Sequence, residues 1–186
     1  MKNNNEVAVF GGGCFWCTEA IFMRLKGVDA VMPGYAGGKM KNPNYYEVSE
    51  GSTGHAEVIH IEFDSHIISY EQLLEVFFAM HNPTSLNRQG ADVGTQYRSV
   101  ILYTNNQQKE TAEKYIETLD KSAHFSSPVV TEVQELNEFY NAEEYHQKYF
   151  NAHKDEPYCE IVISPKIDKL LHKFAPLLKK ETPAND

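Results

Sequence analysis

The pattern of hydrophobic and polar positions along the chain predicts a mixture of short strands and helices. Apolar runs and period-two alternation predict strands at residues 6–10, 28–31, 55–63, 97–103, 129–136 and 161–163. Helices are predicted at about 14–26 and 143–153, and amphipathic helices at 70–78, 112–119 and 167–174. Glycine-rich and polar stretches at 34–45 and 82–94 predict two long loops.

This order of elements indicates the α+β class, with helices layered against a sheet and a site built on the loops. The chain has 186 residues, of which 41% are hydrophobic, so it is long enough to bury a sizeable core. It contains no internal repeat, low-complexity tract or interdomain linker. We therefore expect a single domain over residues 1–186.

The charge balance narrows the classes of partner. A formal net charge of −9 repels phosphate backbones and anionic membranes, so neither a nucleic acid nor a membrane is an expected partner. The first residues lack the apolar stretch of a signal peptide, which predicts a cytoplasmic protein. The three cysteines, Cys14, Cys17 and Cys159, are an odd count that argues against a disulfide framework and for reactive or buried thiols.

Cys14 is the first candidate for chemistry, because it follows three glycines at the predicted start of a helix. The positive end of a helix dipole favours the thiolate form of a cysteine. Cys17 lies three positions further on, within reach of a disulfide. The alternative is a buried cysteine in a glycine turn.

Zinc is an alternative for the Cys-x-x-Cys pair, but a structural zinc site usually needs two such pairs. Cys159 stands alone in the sequence, and strand parity places His55 and His60 on opposite faces. His81 and His146 are isolated in the sequence. We therefore predict no metal site.

An acid and a tyrosine-rich loop are further candidates. Glu57 shares the apolar face of its predicted strand, where burial would raise its pKa and keep it protonated as a proton donor. An ion pair at the strand end is an equal alternative. For Asp92 the residues alone favour a structural pair with Arg98, and for Tyr45 they favour simple packing.

Six segments together resemble the A-type peptide methionine sulfoxide reductases. They lie in order between about residues 7 and 166, and they read GGCFW (12–16), GYAGG (34–38), NPNY (42–45), GHAE (54–57), GTQYRS (94–99) and FYNAEEYHQ (139–147). The resemblance implies a central mixed sheet with helices against it, as a two-layer sandwich related to the ferredoxin-like fold. It also implies reduction of the S epimer of methionine sulfoxide, free or in proteins, and hence repair of oxidised proteins.

The resemblance assigns a role to each matching residue. Cys14 matches the nucleophile and Glu57 the general acid. Tyr45 and Tyr97 match two tyrosines that hydrogen-bond the sulfoxide oxygen. Asp92 matches an acid that orders the site. Phe15 and Trp16 match the apolar pocket for the substrate methyl group. Thiolate attack on sulfur then leaves a sulfenic acid on Cys14. A second thiol converts it to an internal disulfide, which an external thiol reductant such as thioredoxin reduces, with no bound cofactor or metal.

The chain departs from many relatives at Cys17, where they carry glycine. Two resolving thiols therefore stay open, Cys17 next to the nucleophile and Cys159 late in the chain. We favour Cys17, because it needs no loop motion.

Two functions of other classes remain. A thioredoxin-like dithiol oxidoreductase would leave Glu57 and Tyr45 without a role. The other is a non-catalytic thiol or metal-binding module.

Overall fold

In a computed structural model, which describes residues 5–180, helices pack against a six-stranded mixed sheet. The strands are β1 (Asn5–Gly12), β2 (Val28–Ala36), β3 (Ala56–Asp64), β4 (Arg88–Gln89), β5 (Asp92–Val93), β6 (Ser99–Tyr103), β7 (Glu132–Glu135) and β8 (Phe139–Asn141). The α-helices are α1 (Phe15–Phe22), α2 (Tyr45–Ser49), α3 (Tyr70–Met80), α4 (Asn106–Lys121), α5 (Tyr149–Ala152) and α6 (Ser164–Lys173). This confirms the predicted mixture of helices and strands.

The large sheet has the strand order β7-β6-β1-β3-β2-β8, and β4 pairs with β5 in a separate small hairpin. Neighbouring strands of the large sheet are antiparallel except β6 and β7, which are parallel. Because β1 and β3 run in opposite directions, the last residues of β1 and the first of β3 meet at one edge of the sheet. The candidate residues around Cys14 and Glu57 come together at that edge.

The main core lies between the sheet and the helices α1 and α3. Phe10 of β1 packs against Phe22 of α1 and Phe77 of α3, with ring centroids 5.8 and 4.9 Å apart. All three rings are almost fully buried, so each stabilises the fold by roughly 1.5–3 kcal/mol. Across the described residues 5–180, no helix combines the length and hydrophobicity needed to cross a bilayer.

Strand β2 continues beyond its predicted end and includes the first residues of the expected loop. Gly34 pairs with Asn141 of β8, and a Cβ on Gly34 would lie 2.3 Å from Cζ of Phe139 and 2.4 Å from the carbonyl oxygen of Tyr140. The glycine thus permits a close strand contact rather than a turn, which the sequence pattern does not distinguish.

The predicted strand at 161–163 is wrong, because this segment is a π-helical turn, Cys159–Ile163, that leads directly into α6. Cys159, Ile163, Ile167 and Leu170 are buried along one side, while Ile161 is 74% exposed. Their spacing is helical, and the β-branched residues among them concealed that period.

Two other predicted boundaries differ. The expected helix at 143–153 is divided into a 3₁₀ turn, Glu144–His146, and α5, with Lys148 between them at a φ of +54°. Tyr97 lies in the 3₁₀ turn Thr95–Tyr97 that precedes β6 rather than in the strand. Both breaks turn aromatic side chains towards the region of Cys14.

We predict that Gly34→Ala lowers the free energy of unfolding by about 1–3 kcal/mol, the usual cost of overpacking. The added methyl group must displace β8, since the carbonyl of Tyr140 cannot rotate away as a side chain could. Urea titration of the wild type and the variant measures the change.

The double variant Gly34→Ala/Phe139→Ala separates the two clashes. Compared with Phe139→Ala alone, it should still be destabilised, because the backbone clash remains. A Gly34→Ala protein as stable as the wild type would show that β8 is not held at this distance.

Candidate active site

Cys14 lies between the end of β1 and the first turn of α1. It is the N-cap residue of α1, and its carbonyl oxygen accepts a hydrogen bond from the backbone N–H of Cys17 at 3.1 Å. The preceding Gly13 has a φ of +100°, and a Cβ there would lie 2.8 Å from Cγ of Gln89. The glycine therefore allows the turn that places the thiol at the helix start, where only 7% of Cys14 is exposed.

The thiols of Cys14 and Cys17 share a hydrogen bond, which shifts their pKa values in opposite directions. Burial raises the pKa of Cys14, and the hydrogen bond with Cys17 and the charge of Glu57 act in the same direction. The pKa of Cys17 is lowered to about 7, mainly by the hydrogen bond from Cys14 and further by the charge of Lys166. The first thiolate to form is thus that of Cys17, whereas the helix dipole alone predicts Cys14.

Glu57 is buried at the start of β3 and contacts the first turn of α1. Its Oε2 accepts a hydrogen bond from the backbone N–H of Phe15 at 3.0 Å, and only 3% of the surface of Glu57 is exposed. Burial raises the pKa of Glu57 to about 8, although the Phe15 N–H opposes the shift; the charge of Asp92 adds to it. At pH 7 the group is mainly the neutral acid.

Tyr45 and Tyr97 come from the two predicted loops and lie around Cys14 and Glu57. Tyr45 begins α2, and Tyr97 ends the 3₁₀ turn before β6. Burial raises the pKa of both phenols, and the charges of Glu57 and Cys14 contribute to both shifts. Both hydroxyls therefore remain protonated and able to donate a hydrogen bond.

Asp92 does not pair with Arg98, so the structural interpretation of Asp92 favoured by the residues alone is wrong. Arg98 instead contacts Glu132 at 3.2 Å. Asp92 accepts a hydrogen bond from the hydroxyl of Tyr158 at 2.8 Å, and that hydroxyl lies 3.9 Å from the sulfur of Cys17. Asp92 thus reaches the cysteine pair through Tyr158.

Phe15 and Trp16 form an aromatic wall next to Cys14. Phe15 is buried, with its ring centroid 5.1 Å from that of His146. Trp16 is half-buried, stacks on Tyr149 at 3.7 Å, and donates its Nε1–H to Nδ1 of His146 at 3.1 Å. His146 therefore fixes the orientation of both residues.

All three cysteines are free and belong to one buried apolar cluster. Cys159 has no exposed surface. Burial raises the pKa of the Cys159 thiol, and the charges of Glu156 and Cys17 raise it further. Cys17 is thus hydrogen-bonded to Cys14, and it is also close enough to Cys159 for its charge to raise the pKa of that thiol.

Comparison with known proteins identifies the family. The family model described as peptide methionine sulfoxide reductase matches residues 6–177. The chain belongs to this family. It is 53% identical over 174 residues to the peptide methionine sulfoxide reductase MsrA of Saccharolobus solfataricus, covering 94% of this chain and 97% of that protein. It is 56% identical over 164 residues to MsrA of Nautilia profundicola, covering 88% and 93%.

Solved structures of similar proteins support the same family. The reductase resembles Mxr1 from Saccharomyces cerevisiae in its reduced form, with a TM-score of 0.77 and 29% identity over 86% of this chain and 91% of that chain. It resembles methionine sulfoxide reductase A of Corynebacterium diphtheriae with a TM-score of 0.73 and 32% identity over 82% and 76%. The protein is therefore an oxidoreductase that reduces methionine sulfoxide and repairs oxidised protein.

Three site residues of this reductase were not found by sequence reasoning: His146, Glu143 and Tyr158. Glu143 accepts hydrogen bonds from the hydroxyl of Tyr35 at 2.7 Å and the backbone N–H of Tyr45 at 2.8 Å. The segment FYNAEEYHQ contains Glu143 and His146 but indicated no role for them, and Tyr158 lies outside all six matched segments. Within residues 5–180 no group of three or more potential metal-ligating side chains is present.

We predict a pH-dependent stability difference between Glu57→Gln and the wild type. The folded state raises the pKa of Glu57 from its ordinary 4.5 to about 8. It therefore binds the Glu57 proton more tightly than the unfolded state, and this contribution to stability is lost as the pH rises from about 4.5 to 8. The glutamine lacks this loss, so the variant should gain stability relative to the wild type over that interval.

Urea titrations at pH 5, 6, 7, 8 and 9 measure this difference. Glu50→Gln, which changes an exposed residue, is the control and should show no such trend. A constant difference between Glu57→Gln and the wild type would mean that Glu57 is ionised throughout.

Proposed function

We propose that Cys14 of this reductase attacks the sulfur of methionine S-sulfoxide, free or in proteins, while Glu57 supplies a proton to the oxygen. The observation that carries the proposal is the 3.0 Å hydrogen bond from the Phe15 N–H to Glu57. It holds a carboxyl group that is neutral at pH 7 beside the first turn of the helix that Cys14 caps. A sulfoxide oxygen departs only when protonated, so a thiol beside a neutral acid suits this reaction.

The proposed step transfers one oxygen atom. Cys14 forms a bond to the sulfoxide sulfur while Glu57 protonates the oxygen. The hydroxyl then moves to the Cys14 sulfur, the S–O bond of the substrate and the new S–S bond both break, and the electron pair of the S–S bond stays with the substrate, which leaves as a thioether. The cysteine is oxidised by two electrons to a sulfenic acid. The thiol proton of Cys14 replaces the proton that Glu57 gives up, so the step consumes no net proton.

The remaining residues orient and stabilise the sulfoxide. Tyr45 and Tyr97 keep their hydroxyl protons and can donate them to the oxygen as negative charge develops there. The aromatic wall of Phe15 and Trp16 offers an apolar surface to the substrate methyl group. Asp92 orders the site through its hydrogen bond from Tyr158.

For recycling, we propose that the Cys17 thiolate attacks the sulfenic acid of Cys14. The S–O bond breaks, the hydroxyl leaves as water with one proton, and a Cys14–Cys17 disulfide forms. The existing thiol–thiol hydrogen bond favours Cys17 over Cys159, because no segment has to move first. Cys159, in the same apolar cluster, is the second candidate and could receive the disulfide from Cys17 in a relay.

An external dithiol protein of the thioredoxin kind then supplies two electrons and two protons, and no bound cofactor enters these steps. A structure of Mxr1 from S. cerevisiae in complex with Trx2, with 21% identity and a TM-score of 0.56, offers a precedent for such a partner.

The net charge of −9 supports partners other than nucleic acid or membrane. Three free cysteines suit the reducing cytoplasm.

The same proposal includes one catalytic domain over residues 1–186 with a two-layer, ferredoxin-like core. Its support is the sheet order β6-β1-β3-β2 with antiparallel neighbours. Helix α1 follows β1, and α3 follows β3, as in a split β-α-β arrangement.

We predict that Cys14→Ser abolishes reduction of both free and peptide-bound methionine S-sulfoxide, since serine is not a comparable nucleophile. The variant should keep the wild-type circular dichroism spectrum. Methionine formation from each separate epimer measures the activity. Clear turnover by the folded variant, or equal wild-type rates on both epimers, would contradict the proposal.

We predict that Glu57→Gln slows the first turnover by roughly 10²- to 10⁴-fold at pH 7, the range for losing a general acid. The wild-type rate should fall as the pH rises through about 8, where Glu57 loses its proton. The variant lacks this group, so the ratio of the two rates should shrink above pH 8. Quenched-flow detection of methionine gives both rates.

Glu19→Gln is the matched control for this experiment. Glu19 is also buried, and burial raises its pKa to about 7, but it accepts its hydrogen bond from the N–H of Lys148. Its substitution should change the first turnover by less than threefold, roughly the scale of an indirect effect. A Glu57→Gln rate equal to that of the wild type would leave Glu57 only a structural role.

We predict that Cys17→Ser completes one fast turnover and then stops with thioredoxin as reductant, whereas Cys159→Ser continues through several turnovers. The reason is that, of the two candidate thiols, Cys17 is the one hydrogen-bonded to Cys14 before reaction. Mass spectrometry after one equivalent of sulfoxide identifies the disulfide. Normal recycling by Cys17→Ser would transfer the role to Cys159, or to the external thiol if both single variants and the double variant recycle.

A further inference from the structure

Two tyrosines with no part in the proposed chemistry, Tyr46 and Tyr145, are exposed beside the candidate site. Tyr46 is 78% exposed and Tyr145 is 59% exposed. They come from α2 and from the 3₁₀ turn Glu144–His146, which are far apart in the sequence. Their phenol groups are nevertheless close enough to interact electrostatically. We call these two residues the tyrosine rim.

The tyrosine rim lies one ring outward from the aromatic residues of the site. The ring of Tyr46 is 6.3 Å from that of Tyr45, and the ring of Tyr145 is 4.1 Å from that of His146. Tyr45 and His146 are themselves 4.6 Å apart. The two exposed rings therefore flank a contacting pair whose inner member, His146, lies against Phe15.

A peptide substrate extends beyond the side chain that enters the site. The family acts on peptide methionine sulfoxide, so the chain continues on both sides of the side chain that enters the site. Consecutive Cα atoms are 3.8 Å apart, a spacing comparable to the ring separations along the rim. The step from the sulfoxide residue to a flanking residue is therefore of the same scale as the step from the rings of the site to the exposed rings of the rim.

We propose that the tyrosine rim binds the side chains flanking the methionine sulfoxide in a peptide, and that it favours apolar flanking residues over acidic ones. The inference rests on the proposed function, because it takes the site around Cys14 as the place where the sulfoxide is bound. Exposed aromatic rings gain most from apolar or aromatic partners that cover them. The rim thus contributes to the choice of substrate and not to the chemical step.

Charge near the rim disfavours acidic segments. Glu47 directly follows Tyr46, and Glu144 directly precedes Tyr145. The formal net charge of the whole chain is −9. An aspartate or glutamate next to the sulfoxide would therefore meet like charge, and this repulsion should weaken with added salt.

Four blocked substrates test the proposal. N-acetyl-methionine sulfoxide N-methylamide has no flanking side chains, and three tripeptides carry leucine, glycine or glutamate on both sides of the sulfoxide. For the wild type we expect kcat/KM to fall in the order leucine, glycine, glutamate. The leucine-to-glycine ratio should be about 2- to 10-fold, because aromatic contacts contribute roughly 0.5–1.5 kcal/mol.

The double variant Tyr46→Ala/Tyr145→Ala should reduce the leucine-to-glycine ratio to nearly one through KM, with kcat/KM unchanged on the N-acetyl substrate. Tyr46→Phe/Tyr145→Phe should keep the preference, because the ring and not the hydroxyl makes the contact. Ile67→Ala is the control, since Ile67 is 59% exposed and follows the opposite end of β3 from Glu57. This variant should behave as the wild type.

Several results would contradict the inference. The inference is wrong if the wild type shows no flank preference, if the alanine variant keeps it, or if that variant also loses activity on the N-acetyl substrate. It is equally wrong if the alanine variant changes only thioredoxin-dependent recycling. Failure of the proposed function is seen separately: in that case Cys14→Ser would still reduce the N-acetyl substrate.

Discussion

The arrangement around Cys14 depends on one buried hydrogen bond, from the backbone N–H of Phe15 to the carboxyl group of Glu57. The N–H groups in the first turn of a helix have no partner within the helix, and Cys14 offers no side-chain cap to α1. Glu57 satisfies one of these donors from the neighbouring strand β3. The bond therefore fixes the start of α1 against the sheet, and it places an acid beside the thiol without an ion pair.

The acidic groups of the site cannot all be ionised, because they share an enclosed apolar region. Burial keeps the proton on Glu57, and the hydrogen bond between the thiols leaves the first negative charge on Cys17 rather than Cys14. Asp92 contacts the pair through the hydroxyl of Tyr158. This distribution supplies the proton donor that the proposed reduction needs first, and it leaves Cys17 as the thiolate that the proposed recycling needs.

The aromatic half of the site depends on how closely β8 approaches β2. Only a glycine at position 34 leaves room for Phe139 and the carbonyl of Tyr140. The chain that follows β8 then brings Glu143 to the backbone of Tyr45 and His146 to the indole of Trp16. The same segment exposes Tyr145 at the edge, so substrate binding in the site and contact with the flanking peptide share one support.

The sequence by itself determined the family, the mixed helix and strand content and the position of Cys14 at a helix start, because local patterns and contiguous motifs carry those properties. It also indicated that Glu57 shares an apolar strand face. The partner of Asp92, the role of His146 and the acidity of the two thiols were decided only by the tertiary structure. Tyr158 is 66 positions from Asp92, and His146 is 130 from Trp16. Such contacts, and the burial that sets each pKa, exist only once distant segments have packed together.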